Sequence, residues 1–305
     1  MKKILCINYS QSGQLDEILD NFTAPIDGVK LERIKVLPKN PFAFPWQTNN
    51  FYGGMPETVL EEAIEIEPIK FKEEKYDLII LGYQPWFLSP SMPTTALLKN
   101  HYFLQRVKNT PVITVIGARN MWLNAQSSVV SHIGAAGGKM VGNIALVDRA
   151  PNHLSAVSIA HWMMTGKKTR KWGIFPIPGI SVKDIEGCST FGTLVQNALV
   201  NDDFIKLQSQ IIHNGGLRVN TNILFIESKA KKIFFLWANL IKKKEAKGKS
   251  RKFWIGFFRI YLNTALFGVA PILLAIDTVF IRIFTRKSIA QKKKHYSYLG
   301  MKPSE

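Results

Sequence analysis

Short runs of apolar, strand-forming residues recur along the first half of the chain, separated by segments with helical spacing. Lys3 to Tyr9 (KILCINY) is one such run, and Val29 to Val36 alternates apolar with polar positions as a half-buried strand does. Tyr76 to Gly82 (YDLIILG), Val112 to Gly117 (VITVIG) and Val141 to Val147 (VGNIALV) are almost continuously apolar, which marks strands covered on both faces. Leu15, Ile18, Leu19 and Phe22 repeat at helical spacing within Gln14 to Phe22. Pro56 to Glu65, Thr94 to Lys99 with its extension, and Ala125 to Ile133 read as further helices. This alternation predicts an α/β fold, a doubly wound parallel sheet with helices on both faces, and five strands suit the order 2-1-3-4-5.

Two segments break the alternation. Lys39 to Gly54 (KNPFAFPWQTNNFYGG) gathers aromatics, Pro and Asn without a period. It reads as a long loop over the carboxyl ends of the strands, either a lid on a ligand or a segment packed on the core. From Asp148 to Gly187 the pattern is irregular apart from a helix at Leu154 to Thr165, which carries His161 and Trp162 and follows His153.

The last third changes character. Ile260 to Ile276 (IYLNTALFGVAPILLAI) is a charge-free run of 17 residues, at the lower limit for a bilayer span. Lys242 to Lys252 precedes it and Arg286 to Lys294 follows it, so a single span would carry one basic cluster across the membrane. A shallow hairpin turning near Gly268 to Pro271, or an in-plane helix, keeps both clusters on the cytoplasmic side. Ile233 to Ile241 (IFFLWANLI), also flanked by lysines, reads as a second interfacial anchor. A buried core helix is the alternative for these runs. The domain organisation expected is therefore 1–200 for the α/β domain and 201–305 for a basic, helical, membrane-associating extension.

Charge sharpens this division. The net charge of +18 arises from 12 basic against 13 acidic side chains in residues 1–110, 8 against 3 in 111–200, and 20 against 6 in 201–305. Because the basic clusters flank apolar runs and form no separate polar patch, they suit an anionic membrane surface, and no nucleic acid is expected as a partner. Two cysteines, Cys6 in a strand and Cys188 in a loop, make neither a disulfide framework nor a metal-ligand spacing, so no metal is expected. The basic start MKKILCINY runs directly into SQSG with no cleavage site, so the expected location is the cytoplasm, peripheral or monotopic on the inner face of the cytoplasmic membrane.

Candidate chemistry sits in three loops after strands. Ser10, Gln11, Ser12, Gly13, Gln14 and Leu15 join the first strand to the first helix, where backbone amides, short hydroxyl side chains and the helix amino end can hold a phosphate monoester. The segment lacks both the G-x-G-x-x-G of dinucleotide folds and the G-K-[ST] of P-loops. Pro85, Trp86, Phe87 and Leu88 follow the third strand as a rigid apolar wall for a flat ring system, or as a plug for the sheet edge. Gly117, Ala118, Arg119 and Asn120 follow the fourth strand, where amides could meet a polar ring edge and Arg119 could stabilise a negative charge.

YSQSGQL, YDLIILGYQPWFLSPSMP and VITVIGARNMW resemble the three flavin-contacting loops of flavodoxins and flavodoxin-like reductases, over roughly residues 1–150. That resemblance implies a flavodoxin-like fold and FMN as cofactor. Flavodoxins usually have Thr where this chain has Ser12, and Gln14 replaces a second hydroxyl residue. With its basic and apolar tail, the whole chain resembles the bacterial family named dialkylresorcinol condensing enzyme, which accompanies a ketosynthase in pathways to dialkylresorcinols and flexirubin-type pigments. The name implies thiolate chemistry, yet Cys6 is expected to be buried and Cys188 has no His nearby in sequence. A flavin fold implies oxidation instead: an aromatase removing two hydrogens from a lipid-like dialkylcyclohexane-1,3-dione. His101, His132, His153, His161 and Tyr83 are the candidates for proton handling, with His153 first and Tyr83 second. The alternative function is a cofactor-free scaffold that holds a ketosynthase at the membrane.

Overall fold

The apolar runs become the strands of one sheet. The computed structural model describes residues 1–303, and its strands are β1 (Lys3–Asn8), β2 (Lys30–Lys35), β3 (Leu78–Tyr83), β4 (Pro111–Ala118) and β5 (Lys139–Val147). All are parallel and lie in the order β2-β1-β3-β4-β5. This is the flavodoxin-like order. Alternation along each strand sorts side chains into two layers: Leu5, Ile7, Ile79 and Leu81 enter one core, Ile4, Cys6, Leu78 and Ile80 the other.

The first core is covered by α2 (Met92–Leu98), α3 (His101–Val107) and α4 (Leu123–Ala135), through residues such as Leu97, Phe103 and Val129. The second is covered by α1 (Gln14–Thr23) and α6 (Cys188–Asn201). These two helices meet at Gly192, where a Cβ would lie 1.9 Å from the Phe22 carbonyl oxygen, so only glycine permits the approach. Cys188, expected in a loop, opens α6 and is fully buried. Helix α5 (Asn152–Thr165) rises beside the carboxyl ends of the strands.

The helix expected at Pro56 to Glu65 is cut short. The chain is helical over Thr48–Gly53, inside the aromatic stretch, and again over Met55–Val59. It then turns at Glu61, whose φ is +53°, and Ile66 pairs with Pro38. The extension of Thr94 to Lys99 is interrupted at Asn100, whose side chain accepts from Phe103 N–H at 3.0 Å and starts α3 afresh.

Beyond residue 200 the chain stays in contact with the sheet. In α7 (Leu207–His213) Ile211 joins the second core, and Gln208 Oε1 accepts from the Asn143 amide at 2.7 Å. Helix α8 (Thr221–Ala246) buries Phe234, Ala238 and Ile241 against Met55, Val59 and Leu88. A continuous 47-residue helix, α9 (Arg251–Ser297), follows and is long and apolar enough to cross a membrane, with 6% of its most apolar window buried. Its start packs through Ile255 and Phe258 beside Phe234, and Ile289 and Tyr296 near its end pack on the first core. No hairpin forms at Gly268 to Pro271. The segment is π-helical over Ala265–Val269, and this wider turn accommodates Pro271 without breaking the helix.

Candidate functional site

At the end of β1 the chain enters α1 through Gly13, at φ +83°, a left-handed conformation that side chains with a Cβ rarely adopt. Ser10 Oγ accepts from Leu15 N–H at 3.2 Å and closes the loop from within. Among the described residues no protein group accepts from the amides of Ser12, Gly13 and Gln14, which sit at the positive end of a ten-residue helix. Gln11 and Gln14 have structural duties instead. Gln11 accepts from Tyr9 Oη and donates to the carbonyls of Phe42 and Ala43, at 3.2 and 3.1 Å. Gln14 pairs with the backbone of Ile180.

After β3, Pro85–Trp86 pairs antiparallel with Ser89–Pro90, and Phe87 and Leu88 form the two-residue tip with φ of +45° and +65°. Two positive φ values in succession are what such a tight hairpin requires, and the tip packs through Phe87 and Leu88 on the cluster that holds Met55, Val59 and Phe234. Gln84, with its oxygen turned toward them, accepts from the Gln11 amide and Trp86 Nε1, each at 3.2 Å. The aromatic stretch folds over this hairpin: Trp46 and Phe42 stand edge-on to Trp86, at 5.3 and 5.1 Å between ring centroids, and the Trp46 amide donates to Met163 of α5 at 2.7 Å. Trp46 Nε1 is buried without a partner.

After β4, Arg119 Nη1 donates to the carbonyl and Oδ1 of Asn152, at 3.1 and 3.0 Å, and Asn120 Nδ2 donates to the same Oδ1. Burial lowers the Arg119 pKa to about 10, and Asp148 works against that shift, so the guanidinium is charged at neutral pH.

These loops enclose one cavity of about 260 Å³. Gln11, Ser12, Gln14, Leu15, Pro85, Trp86, Phe87, Gly117, Ala118 and Arg119, all residues of the three strand-end loops, line it. Ser10 and Gly13 shape the loop without lining the cavity, while Leu88 and Asn120 face a second, adjoining cavity of about 530 Å³. Phe44, Trp46 and Phe51 of the aromatic stretch complete the wall, so that stretch both covers the cavity and packs on its neighbours. Ile159, Trp162 and Met163 of α5, with Gly179 and Ile180, were not anticipated. The GIFPIPGI segment offered a faint signal: Gly179 has φ +86°, and a Cβ there would lie 2.8 Å from both the Trp162 ring and Gln14 Oε1.

Neither residue preferred for proton handling reaches this cavity. Tyr83 is fully buried, because alternation in β3 turns it beneath α4, where its hydroxyl donates to Gln126 at 2.8 Å. His153 Nε2 lies 3.2 Å from the Leu266 carbonyl of α9, and its ring stands 6.0 Å from Phe267. His101 meets Gln105 and His132 faces Glu61, and His161 lines neither cavity. Burial pushes both thiols, Cys6 and Cys188, up to about 12, so they are protonated at neutral pH.

No family model matches the sequence, and no curated protein matches it. Solved structures of similar shape include a flavoprotein from Lactobacillus acidophilus in complex with FMN, with 20% identity and a TM-score of 0.37 over 47% of this chain and 92% of that one. RosB with bound 8-demethyl-8-formylriboflavin-5'-phosphate has 10% identity and a TM-score of 0.34 over 72% of this chain and 92% of its own. A flavone reductase has 11% identity and a TM-score of 0.35 over 92% and 98%. The flavodoxin-like assignment rests on the strand order β2-β1-β3-β4-β5.

Proposed function

We propose that the chain is an FMN-dependent oxidoreductase, with FMN held in the cleft of about 260 Å³. The observation that carries this reading is the convergence of all three strand-end loops on one cavity whose polar rim includes donors without acceptors among the described residues, the Ser12 and Gln14 amides and Trp46 Nε1. A buried donor such as Trp46 Nε1 is seldom left unpaired, and free amides at a helix amino end bind anions, so a ligand with a phosphate and further acceptors fits the site. In this reading the amides hold the phosphate, the Trp86 and Trp162 rings confine a flat ring system, and Arg119 offsets negative charge at the far end. When bound, FMN supplies two-electron oxidation.

The finer reading is an aromatase that converts a dialkylcyclohexane-1,3-dione into a dialkylresorcinol, with a ketosynthase of the same pathway supplying the dione. Among the described residues no histidine or carboxylate lines the cleft, which is compatible with this chemistry. A 1,3-dione is acidic between its carbonyls and enolises readily, so the site needs a cation to hold the enolate more than a base to make it, and Arg119 is that cation. His153 and Tyr83 are then structural.

The extension, residues 201–305, is proposed to hold the enzyme on the cytoplasmic face of the membrane with α9 in the plane of the interface. Both ends of α9 pack on the same α/β body, a geometry that suits an in-plane helix and not a span. Purified protein given FMN and a dialkylcyclohexane-1,3-dione should yield the resorcinol. A colourless protein that neither binds FMN nor converts the dione would leave the scaffold reading in its place.

A further inference from the structure

The larger cavity, about 530 Å³, lies between α5, α8 and α9 and adjoins the cleft, with Phe51, Pro85, Phe87, Arg119, Ile159 and Met163 lining both. Its wall is apolar where the tail closes it, through Ile233 of α8 and Leu266, Phe267 and Leu273 of α9. Polar groups gather at the inner end, where Arg119 meets Asn120, whose Oδ1 is buried without a donor. The other charged lining residues are Lys171 and Lys229.

Lys171 belongs to an exposed turn. Trp172 and Gly173 take φ of +52° and +74°, which sets out Trp172 and Ile174, each 76% exposed. Lys167, Lys168, Arg170 and Lys171 immediately precede this apolar tip, and Lys171 Nζ lies 4.6 Å from the Trp172 ring centroid. On the other side, Ile272, Phe280 and Phe284 of α9 face outward, 62%, 65% and 88% exposed. Apolar tips collared by lysine and arginine suit the interface of an anionic bilayer.

We infer that this cavity is the chamber for the alkyl chain of a single-headed, ring-bearing amphiphile taken from the bilayer, with its polar head against Arg119 and its mouth between the Trp172 turn and α9. The inference rests on the flavin reading for what happens at the head, and on the cavity alone for the chain. Since each buried methylene tightens binding by about fourfold at most, affinity should climb with chain length until the chamber is full.

The test uses the full-length protein on nanodiscs of phosphatidylcholine and phosphatidylglycerol, with protein-free nanodiscs subtracted. FMN content is measured first. Resorcinol, 4-hexylresorcinol and 5-pentadecylresorcinol are then titrated by flavin fluorescence, and 11-(dansylamino)undecanoic acid by dansyl fluorescence. Chain length should tighten binding by about tenfold or more in the wild type. Ala265→Trp in α9 and Ala156→Phe in α5 line only the chamber and should remove that gain without changing flavin content or the affinity for resorcinol itself. Two variants on different helices guard against a folding defect in either. A long chain that binds no tighter than resorcinol, or binds both variants like the wild type, overturns the chamber. A protein without flavin that still gives a saturable dansyl signal, lost in both variants, supports the chamber and sinks the flavin reading. A dansyl signal no greater than the blank overturns the chamber in either case.

Discussion

The side-chain amide of Gln14 and the backbone of Ile180 exchange two hydrogen bonds, Nε2 to carbonyl at 3.1 Å and N–H to Oε1 at 3.0 Å. The first turn of α1 is thereby locked to a loop 166 residues further along the chain, and that contact forms one wall of the cleft. Gln14→Leu keeps the volume and removes both bonds, leaving a buried peptide unpaired at about 1–3 kcal/mol. Thermal unfolding should shift down by several degrees, and FMN should leave faster. A variant that loses stability yet releases flavin at the wild-type rate would separate this wall from the cofactor.

Gly13 makes a sharper test of the phosphate loop. Nothing lies within 4 Å of a Cβ built there, so crowding by protein cannot account for a loss of function. The left-handed φ alone costs a non-glycine residue about 1–2 kcal/mol, least for Asn. Gly13→Asn should keep most of the flavin, whereas Gly13→Val should lower flavin per chain while leaving circular dichroism unchanged. Unaltered stoichiometry in the valine variant would count against phosphate binding at these amides.

Glu227 gives a dependence of stability on pH. Its carboxylate sits at the amino end of α4, accepting from the amides of Leu123 and Asn124 at 3.3 and 2.9 Å. Burial nevertheless raises its pKa from 4.5 to about 7. A raised pKa stabilises the folded state below pH 4.5, and that contribution is lost as the pH rises to about 7. The loss should be of the order of 3 kcal/mol or less, and Glu227→Gln should abolish it. Denaturant unfolding at pH 5 and pH 8 checks this, and the prediction fails when wild type and variant show the same difference between the two.

Cys188 distinguishes oxidation from condensation. Its thiol is fully buried, so Cys188→Ala should retain most activity and leave only a small cavity. Complete loss of activity in a folded variant, with an acyl group trapped on the wild-type cysteine in mass spectrometry, would point to thiolate chemistry instead.

The sequence was most legible where burial is two-sided. ILCIN, LIILGY and VITVI are buried throughout, on both faces, and an apolar run of that length has few other uses. The strand-end loops followed from topology, because the carboxyl ends of parallel strands share one edge. Tyr83 was misplaced for a local reason: it stands at the end of β3, but the period of two points it into the core. The large chamber was not legible, since Val157, Phe225 and Leu266 come from three helices distant in sequence. Helical spacing shows which face is apolar, not what that face meets. The same limit explains α9, whose charge-free run suggested a hairpin until Ile255 at one end and Ile289 at the other were found packed on one body.

That packing yields a prediction for the proposed membrane attachment of the tail. At 1.5 Å per residue a helix of this length extends about 70 Å, more than twice the hydrocarbon thickness of a bilayer. A span would require its ends on opposite sides, yet Phe258 is buried beside Phe234 and Tyr296 lies on the core of the sheet. The outward residues Phe280 and Phe284 should enter the interface, and Phe280→Lys with Phe284→Lys should shift the protein from membrane to cytosol in fractionation. Topology can be read from Lys247→Cys and Lys292→Cys, both at exposed positions that flank the apolar stretch. Cys6 and Cys188 are buried and should not react with an impermeant maleimide. Both introduced cysteines should label in inverted membrane vesicles and neither in right-side-out ones, because an in-plane helix keeps its two ends on the same face. Labelling of one cysteine from each side would establish a span, and would require one end of α9 to leave the body on which it packs.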